Sequence, residues 1–303
     1  MIKFNNITKK FKTDFYAQPF VALEDVSFSV PEGSMVGFLG ANGAGKTTSL
    51  KIIMDFIRPT EGEVQFSPSL GISKFEVYKN IGFLPERPYF YPNLTGEEFL
   101  EFMGSLSEVA RPLIHERVKK WAPRFRIDHA LKRELKTYSK GMLQRIGFLA
   151  TILHEPKVII LDEPLSGLDP IGRKELKDVI VEVHKEGKTV FFSSHIVPDI
   201  EEICDRVIFL KEGKLVYDGS VQALVGQNPN PVFELKFLSD SMPQFLKPVK
   251  VVNEFSEGLK VIQVSSNDRH LILKELLDKN IEVTGLELIR PSLEEIFYQT
   301  RQK

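Results

Sequence analysis

Gly40-Ala41-Asn42-Gly43-Ala44-Gly45-Lys46-Thr47-Thr48 has the spacing G-x-x-x-x-G-K-[ST], that of a loop built to hold phosphate. Each residue type is needed for its own reason. Glycines let the backbone curl so that its N–H groups point inward at phosphate oxygens, and they keep Cβ atoms out of the way. Lys46 brings a full charge to the β- and γ-phosphates, and the Thr47 hydroxyl is a ligand for Mg²⁺. The apolar run Val36 to Leu39 predicts a buried strand entering the loop. Downstream, Leu50, Ile53, Met54 and Ile57 fall at i, i+3, i+4 and i+7, which predicts a helix that Pro59 ends. The N-terminus of that helix adds the positive end of its dipole. A random chain of this length shows the loop pattern at a frequency on the order of 1%, and a strand before it and a helix after it lower that further. The stretch therefore reads as a nucleotide site formed by Gly40, Asn42, Gly43, Gly45, Lys46, Thr47 and Thr48.

Further along, Val158 to Leu161 is a continuous apolar run that ends in Asp162-Glu163. Such runs are buried parallel strands, and the residues at their carboxyl ends face the ligand crevice. The acidic pair is thus expected beside the phosphates, with Asp162 in the Mg²⁺ shell and Glu163 accepting a proton from the attacking water. Thr189 to Phe192 is the next buried strand, and it delivers Ser193-Ser194-His195 to the same edge, where His195 is the candidate to touch a γ-phosphate. Between the loop and the acidic pair, the stretch from Pro85 to about Leu153 turns helical, predicting a separate helical subdomain. Upstream, Phe11, Phe15, Tyr16 and Phe20 supply aromatic faces able to stack a base; ordinary packing is the competing use of each. The other five histidines have no partners at metal-ligand spacing.

Gly226 to Pro231 is a linker by composition. Beyond it the pattern restarts as β-α-β-β-α-β-α, ending in an expected short helix over Leu293 to Tyr298. The expected fold is α/β: a P-loop NTPase core with an antiparallel β edge and a helical subdomain, plus a small C-terminal α+β domain of the ferredoxin-like kind. The boundaries read as 1–226 for the ATPase domain, with its helical subdomain at about 86–153, then 227–231 for the linker and 232–303 for the accessory domain. That last domain carries no chemical constellation, and regulatory, dimerising and structural roles all stand open for it.

The chain has 303 residues, 42% hydrophobic and 27% charged, ordinary values for a globular protein. A formal net charge of -1 lacks the basic excess of a nucleic-acid binder, so no nucleic acid is expected as a partner. The single cysteine, Cys204, excludes an internal disulfide, which makes a reducing compartment the default. No apolar run is long enough to cross a bilayer, and the N-terminus has no signal-peptide core. A cytoplasmic protein is expected, reaching a membrane only through its surface or a partner.

On these residues the chain resembles the ATP-binding subunit of an ABC transporter over about Met1 to Gln227. Gly40 to Thr48 is similar to the family's Walker A and Val158 to Glu163 to its Walker B. Ser166-Gly167-Leu168-Asp169 is similar to the D-loop, and Tyr138-Ser139-Lys140-Gly141-Met142 to the signature motif. The resemblance implies ATP and Mg²⁺ as the ligands, with Glu163 and His195 catalytic and Asp169 at the nucleotide. It further implies a head-to-tail dimer in which Ser139 and Gly141 of one copy meet the γ-phosphate held by the other. Two positions depart from the family pattern. The usual LSGGQ is YSKGM here, which adds the charge of Lys140. The Q-loop has Glu86 after Leu84-Pro85, an oxygen ligand for Mg²⁺ that carries a charge of its own. Among the aromatic residues, Phe11 aligns best with the family's adenine-stacking position.

These departures, with the tail Pro291-Ser292-Leu293-Glu294-Glu295-Ile296-Phe297, resemble the branch that serves separate ABC-2-type permeases, commonly exporters of drugs, lipids, polysaccharides or ions. The implied function is ATP hydrolysis that powers transport, in the export direction, from the inner face of the cell membrane. The alternative is a soluble ATPase of the same class acting on a ribosome or nucleic-acid complex. Those that act on ribosomes usually carry two cassettes and those of DNA repair long coiled coils, and neither feature is present. A GTPase is excluded by the lack of an N-K-x-D guanine-reading motif.

Overall fold

The computed structural model describes residues 1–12, 19–226, 232–239, 241–243, 246, 250–254 and 258–289. They form two compact units, Met1–Val221 and Gln222–Lys303. In chain order the first begins with β1 (Ile2–Phe11), β2 (Phe20–Val30), β3 (Met35–Leu39), α1 (Lys46–Ile53), β4 (Glu61–Phe66), α2 (Lys74–Lys79) and β5 (Ile81–Leu84). It continues with α3 (Gly96–Leu106), α4 (Arg111–Trp121), α5 (Lys140–Ile152), β6 (Val158–Leu161), α6 (Pro170–Lys185), β7 (Thr189–Ser194) and α7 (Val197–Ile203). β8 (Arg206–Lys211), β9 (Lys214–Ser220) and α8 (Val221–Gly226) complete it, α8 running across the division between the units.

The site is positioned by a six-stranded sheet of order β5-β6-β7-β3-β8-β9. β3 is parallel to β7 and β8, β6 is parallel to β5 and β7, and β9 closes the edge antiparallel to β8. Every residue of β3, β6 and β7 is buried, which is why their centres read as apolar runs. Their register brings the ends together: Leu39 lies opposite Ser194 and Leu161 opposite Phe192. The residues that follow, Gly40, Asp162 and His195, therefore emerge side by side.

A second sheet, β2-β1-β4, is antiparallel and shares its core with the first. Phe4 stacks on Phe28 at 4.6 Å, Phe28 meets Phe38 at 5.4 Å, and Phe38 meets Phe191 at 5.1 Å. Full burial of a Phe side chain stabilises by roughly 1.5–3 kcal/mol, so this chain of rings is a large part of what locks the antiparallel edge onto the parallel sheet.

The helix after the phosphate loop is shorter than its periodicity predicts. α1 ends at Ile53, well before Pro59. Asp55 turns left-handed with φ 57°, and the N–H groups of Asp55 and Phe56 bond back to the carbonyls of Ile52 and Lys51, a Schellman closure of the helix end. Met54 and Ile57 nevertheless pack against the core. Their spacing reports burial, not helix. The stretch expected to be helical from Pro85 to Leu153 resolves into α3, α4 and α5, with Pro85 to Leu94 outside any helix. α3 starts on a capping box, in which Thr95 Oγ1 accepts from Glu98 N–H and the Glu98 carboxylate accepts from Thr95 N–H.

In the second unit β10 (Val232–Leu238), β11 (Lys250–Glu254), β12 (Leu259–Ser265), α9 (Arg269–Asp278) and β13 (Glu282–Ile289) are described. The strands form an antiparallel sheet of order β11-β12-β10-β13. The first strand thus lies between the third and the fourth, as in a ferredoxin-like sheet. Leu235, Phe237, Ile262 and Val264 pack with Ile272 and Leu276 of α9. The expected linker 227–231, the terminal helix and the 291–297 tail lie outside the described residues. No helix among the described residues is long and apolar enough to cross a membrane.

Candidate functional site

The phosphate loop leaves β3 and curls into the N-terminus of α1. Gly45, the N-cap, holds φ 104°, a region that only glycine enters freely. A Cβ there would also lie 2.6 Å from Leu23 Cδ2 and 2.8 Å from the Ala22 carbonyl. At Gly40 a Cβ would sit 2.7 Å from the Leu210 carbonyl, so the backbone approach itself requires glycine. α1 has no side-chain cap, and its first N–H groups remain available to an anion.

Lys46 is buried (5% exposed). Its ammonium donates to Gly40 O at 2.6 Å and Ala41 O at 3.3 Å. It also lies 3.2 Å from Glu163 Oε1. That oxygen is buried and accepts no aligned hydrogen bond, because the ammonium protons are directed to the loop carbonyls. The contact is an ion pair without a hydrogen bond. Glu163 Oε2 is 2.9 Å from His195 Nδ1; a carboxylate only accepts, so Nδ1 carries the proton.

The backbone of Glu163 is left-handed, with φ 48°, a conformation that costs a non-glycine residue about 1 kcal/mol. Its N–H donates to Ser193 Oγ at 2.8 Å, and that hydroxyl donates on to Asp162 Oδ1 at 2.7 Å. One serine at the end of β7 thereby fixes both acidic residues at the end of β6. Burial raises the pKa of Asp162, hydrogen bonds from Ser193 and Thr47 oppose the rise, and the charges of Glu163 and Glu86 add to it.

These groups surround a cavity of about 430 Å³ lined by Phe20, Ala22, Ala41, Asn42, Gly43, Gly45, Lys46, Thr47, Thr48, Glu86, Glu163, Ser166 and His195. The expected residues Asn42, Gly43, Gly45, Lys46, Thr47, Thr48, Glu86, Glu163 and His195 thus come together on one wall system. Gly40 and Asp162 stand behind it, Asp162 through its hydrogen bond with Thr47. Phe11, Ser139, Gly141 and Asp169 are not on this wall. Phe11 lies directly across the β1–β2 ladder from Phe20, with Lys9 Nζ 4.8 Å from its ring centroid. The cavity has Phe20 where the sequence reading chose Phe11. Asp169 caps α6 by accepting from Gly172 N–H at 2.9 Å. Ser139 caps α5 by accepting from Met142 N–H at 3.2 Å, and Lys140 folds across Gly167, where a Cβ would meet its Nζ at 2.1 Å.

A family model described as ABC transporter matches residues 23–166. A relative from Synechocystis, the ABC transporter ATP-binding protein sll0415, is 35% identical over 96% of this chain and 82% of its own length. The ABC transporter ATP-binding protein YxlF of Bacillus subtilis is 34% identical over 91% and 93% of the two chains. The chain is an ABC transporter ATP-binding protein. It is an ATPase, and its hydrolysis powers transport.

A second model, described as the C-terminal domain of DrrA1-3-like ATP-binding proteins, matches residues 219–300 of this ABC ATPase. Among solved structures, the dimeric post-hydrolysis state of the cassette MJ0796 with ADP and Pi is 25% identical with a TM-score of 0.65, covering 73% of this chain and 98% of that one. CbiO1 of Clostridium perfringens, part of the cbiONQ transporter complex, superposes with a TM-score of 0.63 at 25% identity, over 75% of this chain and 90% of its own.

Proposed function

We propose that this ABC ATPase powers export through a separate integral membrane permease, as a head-to-tail pair of copies with two composite ATP sites. The observation that carries the reading is the division of the motifs. The loop, Glu163 and His195 share one cavity, while Ser139 and Gly141 lie off its wall on the same chain. A second copy is the natural source of the missing signature, and MJ0796 itself is solved as a dimer. The DrrA-like C-terminal domain and the 291–297 tail support the export reading. The place of action is the inner, cytoplasmic face of the cell membrane.

An entering triphosphate offers Lys46 better acceptors than the Gly40 and Ala41 carbonyls, and the ammonium moves to the β- and γ-phosphates. Glu163 Oε1, 3.2 Å from Lys46 before that move, is then free to take a proton from water in line with the γ-phosphate. His195 keeps Glu163 oriented through Nδ1, and Nε2 donates to the γ-phosphate when the ring carries its second proton. Thr47, Asp162 and Glu86 present oxygen donors only, which suits Mg²⁺. That ion, when bound, neutralises charge on the phosphate oxygens. Asp169 keeps the D-loop against α6.

Phe20 is the wall on which adenine stacks. Stacking a base on an aromatic ring contributes roughly 1–3 kcal/mol, so Phe20→Ala should weaken ATP binding about tenfold in a fluorescent-nucleotide titration, and Phe11→Ala much less. Equal losses would return the role to Phe11. Deleting 231–303 should leave ATP affinity unchanged in the same titration, since none of the described residues beyond His195 lines the cavity. A lost site would make the tail part of it.

The permease docks where the helical subdomain and the neighbouring α2 expose aromatic surface. Tyr89 is 80% exposed and Phe75 68%. Tyr89, Tyr91 and Phe102 make a run of edge-on rings, and a groove of about 370 Å³ lies among Phe75, Tyr78, Leu106 and His154. Exposed apolar surface of this kind marks a partner site. Purification from detergent-solubilised membranes of the native host should bring down a polytopic membrane protein in stoichiometric amount. Recovery with ribosomes or DNA from the soluble fraction would overturn the transport partnership.

A further inference from the structure

Glu86 enters the hydrolytic scheme only as an oxygen donor, and that scheme makes no use of its charge. A Q-loop glutamine offers the same oxygen without a charge, so the carboxylate has to be accounted for by what the charge does. Glu86 lines the cavity with Lys46, Thr47 and Glu163. It is exposed, and it makes no hydrogen bond or ion pair among the described residues. The fixed charge around the phosphate position is therefore lopsided. Glu86 and Glu163 face the cavity, Asp162 stands behind Thr47, and Lys46 is the sole lysine or arginine among the described residues of the wall. Glu163 already holds that ammonium at 3.2 Å. The field of Glu86 reaches as far as Asp162, where it opposes ionisation.

A bare triphosphate carries about four negative charges into this field, and every carboxylate repels it. The same triphosphate with a divalent cation arrives with its charge halved, and its cation turns Glu86 from a source of repulsion into a ligand. Glutamine at this position would ligate the cation but would not repel the bare nucleotide. We propose that the charge of Glu86 makes this site select metal-bound ATP over metal-free ATP, so that cation and nucleotide enter as one ligand. The inference rests on the ATP-site reading above and adds a discriminating role for one residue.

The test is equilibrium binding of a fluorescent ATP analogue to the full chain, with excess Mg²⁺ and again with excess EDTA. For the wild type, the affinity with Mg²⁺ should exceed that with EDTA by a wide margin. In Glu86→Gln the margin should shrink on the order of tenfold, chiefly because the metal-free nucleotide binds better. Glu86→Asp, which keeps the charge, should keep the margin. An unchanged margin in Glu86→Gln, or a Glu86→Asp that behaves like the glutamine variant, overturns the inference while leaving the ATP site intact. A wild-type chain that binds no nucleotide even with Mg²⁺ would remove the ATP-site reading and this one with it. A second readout needs no comparison of nucleotide affinities: Mn²⁺ held by the nucleotide-saturated chain, followed by electron paramagnetic resonance, should be bound on the order of tenfold more weakly in Glu86→Gln. Undiminished Mn²⁺ retention contradicts the proposed ligation.

Discussion

Glu163→Gln is expected to bind ATP about as well as the wild type, to hydrolyse it on the order of a thousandfold more slowly, and to accumulate as a nucleotide-held dimer. The rate follows from chemistry: an amide cannot accept the proton of the attacking water, and a positioned general base contributes about 10²–10⁴-fold. Retained binding follows from geometry. Glutamine fills the same volume, and its carbonyl oxygen can stay at the Glu163 Oε1 position, 3.2 Å from Lys46.

The other end of the amide creates a conflict. An N–H₂ group placed at the Oε2 position would face the proton on His195 Nδ1, now 2.9 Å from that oxygen. The imidazole resolves this by moving its proton to Nε2 and accepting at Nδ1, which leaves a donor aimed at the γ-phosphate. The variant thus keeps its contacts to ATP and loses only the step that ends the closed state. Light scattering after size-exclusion chromatography in saturating ATP reads the outcome directly. A monomer under those conditions would count against the composite site, and near-normal turnover would remove Glu163 from the base role.

What could be read from the residues alone, and what could not, divides along physical lines. The loop, Asp162, Glu163 and His195 were legible because each lies at or just beyond the end of an apolar run, and such runs become buried parallel strands whose ends converge. The observed register, with Leu39 beside Ser194 and Leu161 beside Phe192, is the convergence those runs required. Ser193 left no comparable mark. Its function as the bridge between Asp162 and the Glu163 N–H depends on β7 lying next to β6, and no spacing within one strand encodes a neighbour.

The aromatic wall was not legible for a related reason. Phe11 and Phe20 sit opposite each other in one ladder, so linear alignment to a motif cannot tell which faces the cavity; Phe15 and Tyr16 lie outside the described residues. The overlong first helix shows a third kind of ambiguity. Periodicity reports which residues are buried, and a left-handed Asp55 let Ile57 stay against the core after the helix had ended. Ser139 and Gly141 were named by motif alone, and the role proposed for them needs a second chain.

Lys46→Ala is expected to lose ATP binding by on the order of a hundredfold or more, because charge-assisted hydrogen bonds to phosphate contribute roughly 1.5–3 kcal/mol each. The loss has two sources, and separating them is the useful part of the experiment. One is the missing contact to the β- and γ-phosphates. The other is electrostatic: with the ammonium gone, Glu163 and Asp162, 8% and 1% exposed, remain as buried carboxylates with no lysine or arginine among the described wall residues. Removing one partner of a buried ion pair typically destabilises by about 3–5 kcal/mol, so the nucleotide-free variant should also melt earlier than the wild type. The double variant Lys46→Ala/Glu163→Gln removes the orphaned charge as well as the cation. It should regain most of the thermal stability and little of the ATP affinity, since the phosphate contact is still missing. Such a cycle assigns the stability to the 3.2 Å ion pair and the affinity to the lysine itself. Intact ATP affinity in Lys46→Ala would remove the lysine from its role. Affinity restored by the double variant would place the whole effect in charge repulsion, with the phosphates held by the loop N–H groups and the N-terminus of α1 alone.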